Sequence, residues 1–287
     1  MAVALMSAFG WAGFDAARKA LSGRMGTLAL AIAIMALQLP LYGVWWALGG
    51  FEPVGLGYWQ PGLLSLTGNI FANVLFLRSV RSGELGAVIP LLSLTPVFTL
   101  ALGAAFLGEV PSVEQVVGVA AVVAGALVLQ VPGTMNFTDF VTENMSNRAA
   151  GQMLMVAALW SATGTLDKSA LAHAPAAFHA LFVAGGIAAT LTVTLAASHR
   201  LGELSAAREN ARGLAVAVVL SVVAMGLQLV AYGLMFVAVV EAIKRSVGML
   251  GALVMGRIAF GEKMTARKLI VVAVMTAGVV LVLNGPR

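Results

Sequence analysis

The segment from Gly86 to Gln130 is a pair of apolar runs hinged at a short polar turn, Gly108-Glu109-Val110-Pro111-Ser112. Each run is close to the ~20 residues a helix needs to cross a bilayer. The turn carries its own stop and start signals: a glycine ends one helix, and Ser112 can accept a bond from an orphan amide of the next. The device returns as Gly261-Glu262-Lys263-Met264-Thr265, and one displacement along the chain carries both Gly108 to Gly261 and Gly125 to Gly278. A hairpin of membrane helices is used twice.

The composition fits that reading. Of 287 residues 60% are hydrophobic and 10% charged, against about 25% charged in soluble domains. Cysteine is absent, which removes disulfides, thiolate metal sites and thiol catalysis. The net charge of +5 does not point to nucleic acid, because the basic residues sit in links between apolar spans, where they report topology. The first apolar span begins at Met1 with no positive charges ahead of it, so it reads as a retained helix rather than a cleaved signal peptide.

Ten spans are expected, roughly Ala2–Leu21, Leu28–Leu48, Trp59–Leu77, Gly86–Leu107, Val113–Val131, Gly151–Leu171, Ala176–Ala197, Leu214–Val240, Ala242–Phe260 and Leu269–Leu283. The longest polar connector, residues 132–148, divides a first half, 1–131, from a second, 149–287. Trp11 and Lys19 recur as Trp160 and Lys168 at one shared displacement. Five is an odd number, so two similar halves must enter the membrane in opposite senses. The expected fold is an all-α membrane protein of ten transmembrane helices in two inverted five-helix repeats, an arrangement that places substrate near the midplane.

Within that frame, Ala87, Leu92, Pro96-Val97-Phe98, Leu107-Gly108-Glu109, Gln115, Gly118 and Gly125 form a combined pattern. It resembles the EamA-like branch of the drug/metabolite transporter superfamily. The second half is similar through Ala242-Ile243-Lys244-Arg245-Ser246, Phe260-Gly261-Glu262 and Gly278, but lacks the Leu-x-Pro of the first. The resemblance implies ten helices, inverted repeats and export or exchange of small metabolites across a bacterial inner membrane. It names no substrate.

Ionisable groups inside apolar spans are costly and therefore functional candidates. Trp11, Asp15, Arg18 and Lys19 share a face of the first span, and Trp160, Asp167 and Lys168 repeat it in the sixth. The cations serve either a site or the helix ends, snorkelling to the interface. Glu241, Lys244 and Arg245 share a face at the start of the ninth span, where a cation either holds an anionic substrate group or pairs with a carboxylate. Polar stripes run through Ser221, Met225, Gln228 and Tyr232, through Asn69 and Asn73, and through Gln38, Tyr42 and Trp45; interhelical bonding satisfies such groups as well as a substrate would. Gly248, Ala252 and Gly256 read as a packing stripe, mapped by the repeat onto Thr95, Thr99 and Gly103. His173, His179 and His199 lack metal-ligand spacing, and His179 remains a proton-relay candidate.

Nucleophile-elbow, zinc-helix and P-loop motifs are missing from the sequence, so no enzyme activity, cofactor or metal is expected. The function expected is secondary transport of a small polar metabolite, amino acids or related compounds favoured, by alternating access. The alternatives are a lipophilic-cation or lipid-linked-sugar carrier, or a non-transporting scaffold. The substrate-binding set is Trp11, Asp15, Asn73, Trp160, Gln228, Tyr232 and Lys244. The partners are a small-molecule substrate and the bilayer, in a monomer or homodimer. For orientation, 13 of the 17 Lys and Arg residues fall in odd-numbered links. Basic links stay cytoplasmic, which puts both termini outside; the resemblance implies the reverse, and the charge count is followed here.

Overall fold

The computed structural model describes residues 1–82, 89–130, 139, 142, 148–260 and 265–284. Most of the 132–148 connector, the second polar turn at 261–264, and Gly86 and Ala87 of the motif lie outside the described residues. Ten long helices follow in chain order: α1 (Ala2–Ser22), α2 (Thr27–Leu48), α3 (Trp59–Ser82), α4 (Thr95–Leu107), α5 (Val113–Gln130), α6 (Arg148–Leu171), α7 (Ala176–Ala197), α8 (Ala211–Leu234), α9 (Val237–Phe260) and α10 (Ala266–Asn284). Of these, α2, α7, α8 and α10 are long and apolar enough to cross a membrane, and Leu91–Leu107 and Val113–Leu129 are shorter apolar helices.

The polar turn works as its sequence indicates. Gly108 ends α4 with φ of 65°, a left-handed conformation that costs an L side chain roughly 1–2 kcal/mol. Ser112 and Gln115 form a reciprocal cap on α5: the Gln115 amide donates to Ser112 Oγ at 3.3 Å and the Ser112 amide to Gln115 Oε1 at 2.9 Å.

Two boundaries differ from expectation. The fourth span is broken, a 3-10 segment Ile89–Leu94 giving way to α4 at Thr95. Pro96 lies in the first turn of α4, where a missing amide costs nothing. The freed groups find partners: Thr95 Oγ1 donates to the Leu92 carbonyl at 2.6 Å, and the Thr95 carbonyl accepts from Thr99 Oγ1 at 2.8 Å and Ser161 Oγ at 3.0 Å. The second difference is the turn between α8 and α9, at Met235-Phe236 rather than beside Glu241. The surrounding sequence is apolar, with Gly233 just ahead of the turn. What starts α9 is a distant carboxylate, Glu109 Oε2, which accepts from the Val237 amide at 3.1 Å. Glu241, Lys244 and Arg245 therefore lie inside a helix and not at its mouth.

The chain divides into two compact units. The first comprises Phe71–Thr165 and Leu234–Arg287, and the second Ala2–Ile70 and Leu166–Gly233. In the first, α5 lies along α10, with Val122, Ala126, Val271 and Met275 buried between them. The pair is backbone on backbone at one point. A Cβ on Gly118 would fall 2.5 Å from the Gly278 carbonyl oxygen, and one on Gly278 would fall 2.8 Å from that of Gly118. The displacement that carries Gly125 to Gly278 carries Gly118 to Val271, and Val271 Cγ1 faces the Cβ position of Gly125 at 3.3 Å. The contact thus repeats itself with the halves exchanged. In the second unit α2 lies along α7, with Ile32, Val183, Ile187, Leu191 and Leu195 buried. Close approach also holds at Gly103, whose Cβ position is 2.8 Å from Glu109 Oε2. At Gly248 an added Cβ meets no described atom within 4 Å, so the expected packing stripe is not observed there; the side chains of Ala252 and Gly256 lie outside the description.

Gly118→Val forces a branched side chain into the α5–α10 contact, and overpacking of this kind costs about 1–3 kcal/mol. Thermal melting in detergent should fall accordingly. Gly43→Ala, at a position with nothing within 4 Å, should leave the melt unchanged or slightly raised.

Candidate functional site

In the first unit the charged face of α9 meets the break ahead of α4. Glu241 is buried and its Oε1 accepts from Lys244 Nζ one turn on. Arg245 Nη2 donates to Thr95 Oγ1 at 3.2 Å, and its Nε is buried with no described partner. Two cations against one carboxylate leave a positive balance beside the first turn of α4, an end of a helix that favours an anion. Trp160 of α6 packs its ring on Phe76 of α3 at 5.6 Å between centroids. Asn73, one turn before Phe76, is half-buried. Of the expected residues, Asn73, Trp160 and Lys244 belong to this unit.

Trp11, Asp15, Gln228 and Tyr232 belong to the second unit. Trp11 packs edge-on to Phe14 at 5.6 Å, against the core of Phe14, Leu21, Leu30 and Leu214. Asp15 is exposed and accepts from Arg18 Nη2 at 3.0 Å. Gln228 and Tyr232 are buried, the amide donating to the phenol oxygen at 2.7 Å. Gln38 Nε2 donates to Ser221 Oγ at 2.6 Å, so part of these polar stripes is used in joining α2 to α8.

The second unit also holds a buried network that joins His179 and Asp167, and Asn69 of a polar stripe, to Tyr58 and Ser65, two residues the sequence reading does not single out. His179 is fully buried on α7. Its Nδ1 lies 3.1 Å from Tyr58 Oη and its Nε2 lies 3.0 Å from Asp167 Oδ1. The same carboxylate oxygen accepts from Ser65 Oγ, and Asn69 Nδ2 donates to the Ser65 carbonyl at 3.1 Å and to its Oγ at 3.3 Å. Burial, and then the charge of Asp167, push the Tyr58 phenol well above the ordinary tyrosine value, so it stays protonated. Phe178, Phe182 and Trp59 pack around Tyr58. The clue in the sequence was the presence of an acid and an imidazole, Asp167 and His179, one turn either side of a short interhelical link.

Residues 1–131 match the model of the EamA-like transporter family. A solved crystal structure of a protein superposes with a TM-score of 0.76 over 97% of this chain and 94% of that one, at 14% identity, a likeness of fold. No curated protein matches by sequence. With the apolar helices, the family match makes this a multi-pass membrane protein.

Removing Glu241 leaves the Lys244 ammonium facing a half-buried position without its carboxylate. Glu241→Ala should destabilise by about 3 kcal/mol, the usual cost of stranding one member of a buried pair. Glu241→Gln, which keeps an acceptor, should cost less; parallel melts in detergent compare the two.

Proposed function

We propose, from the premise that this chain belongs over residues 1–131 to the EamA-like transporter family, that it is a secondary transporter exporting or exchanging a small polar metabolite by alternating access. Its ten long helices form two inverted five-helix repeats, residues 1–131 and 149–287 joined by the connector 132–148. The pairing of second helix with second (α2 with α7) and fifth with fifth (α5 with α10) supports this, as does the self-repeating Gly118–Gly278 and Gly125–Val271 contact.

The observation that carries the substrate class is Arg245, poised on Thr95 at a helix break with a buried Nε that has no partner among the described residues. A guanidinium there suits a carboxylate through paired bonds, and Lys244 adds a second, movable charge. Amino acids and related carboxylates fit best. Trp160 and Asn73 of the same unit complete the proposed substrate-contacting set there; the expected Trp11, Asp15, Gln228 and Tyr232 belong to the second unit. A lipophilic-cation carrier is disfavoured, since Asp15 already has Arg18.

The membrane is a bacterial inner membrane, with both termini outside. The excess of Lys and Arg in the odd-numbered links supports this orientation. A C-terminal reporter should be active in the periplasm and silent in the cytoplasm; the opposite pattern reverses the orientation.

Purified protein in liposomes should exchange labelled amino acids without ATP. Arg245→Met and Lys244→Met should each lower the rate by about tenfold or more, the scale of losing one charge-assisted bond of 1.5–3 kcal/mol. Absence of flux across the amino-acid panel, with lipid probes crossing the leaflets instead, would sink the reading.

A further inference from the structure

We infer that Asp167 and His179, with Tyr58 as relay, form a proton-binding site that couples transport to a proton gradient, an inference resting on the transporter reading above. Three features of the network argue for exchange of a proton. Tyr58 Oη, both imidazole nitrogens and Asp167 Oδ1 lie in one file, with separations of 3.1 and 3.0 Å. Each member is buried, the ring and the phenol completely so. The file also has alternative bonding patterns with the same atoms. With a neutral ring, Tyr58 donates to Nδ1 while Nε2–H donates to the carboxylate. When a proton arrives at Nδ1, the phenol oxygen turns to accept it.

The charge balance gives the site its leverage. Before uptake the pair carries one negative charge, on Asp167, held by the Ser65 hydroxyl and the imidazole N–H. After uptake it is neutral overall, with the proton on the ring as an ion pair or passed through Nε2 to the carboxylate. A net charge in a membrane helix costs several kcal/mol and a neutral pair far less. Proton occupancy therefore changes the free energy of any state in which this part of α6 and α7 faces a drier environment.

An open cavity of about 450 Å³ lies in the same unit, lined by Glu52, Pro53, His173 and Pro175, among others. His173 is exposed, and its ring packs on Gly57, where a Cβ would lie 2.8 Å away; the next residue is Tyr58. A side chain at that crossing would push the exposed His173 ring aside. Among the described residues Tyr58, from the link before α3, and Asp167, from α6, contact His179; Lys168 follows Asp167 on α6, and Glu52 and His173 line the nearby cavity of the same unit. In α2, which lies along α7, Tyr42 alone can ionise.

The test uses full-length protein in liposomes, with the proton as probe, read in two ways. Infrared difference spectra between acidic and alkaline buffer should show a protonation step in wild type that is missing in His179→Gln and in Asp167→Asn. With a trapped pH dye, amino-acid flux should move luminal pH in wild type. In both variants proton movement should fall about tenfold or more, while solute exchange at equal pH persists. Solute flux without proton movement in wild type would overturn the proton site and leave the transporter reading standing. If no solute moves at all, the transporter reading fails and the infrared step alone judges the site: identical spectra for wild type and variants overturn it. Should His179→Gln fail to fold, Tyr58→Phe keeps the ring packing and removes the relay hydroxyl. A displaced infrared midpoint and slowed proton flux then support the site, and unchanged values for both overturn it.

Discussion

The carboxylate of Glu109 ties together parts of the chain that sequence separates. Its backbone amide closes the end of α4 on the Gly103 carbonyl at 3.1 Å, and its side chain opens α9 at Val237. At the other end of α4, Thr95 meets Arg245 of α9. The two helices are thus fixed to each other at two points, and between those points α9 carries Glu241 and Lys244. In a bilayer an uncapped helix end has no water to turn to, and each unsatisfied group costs several kcal/mol. Placing Glu109 at a turn therefore sets where α9 begins, and with it the depth at which its cations lie.

Two polar devices follow the same logic with different outcomes. The Glu241–Lys244 pair neutralises itself and leaves Arg245 with bonding capacity to spare. The Asp167–His179 pair carries its one charge on a carboxylate bonded to Ser65, and its protons can be rearranged along the file. One device is suited to holding an anion and the other to exchanging a proton. Each lies within its own compact unit.

Features whose cause is local were legible in the sequence. The turn at Gly108 to Ser112 could be read because its glycine and its capping pair lie within a few residues. The closeness of α5 and α10 was hinted at by the paired glycines Gly125 and Gly278, although Gly278 meets Gly118. Features caused at a distance were not legible. The start of α9 depends on a residue 128 positions earlier, and the local run from Tyr232 to Ala242 offers only Gly233 as a breaker. Tyr58 and His179 are 121 positions apart, so neither suggested the other. Asp15 seemed deep by its position in the first span, but the face it occupies is exposed and Arg18 is beside it.

The order in which the chain is made gives the division into units a further meaning. The second unit ends at Gly233, so all its segments exist before α9 and α10 emerge. α5, in contrast, must wait for Gly278 before its glycine face is covered. At synthesis rates of about 5–20 residues per second the delay is on the order of ten seconds. Throughout that time a bare groove of small residues lies open in the membrane to any passing helix. Whatever guards that groove, lipid or insertion machinery, has to give way to the last helix of the chain.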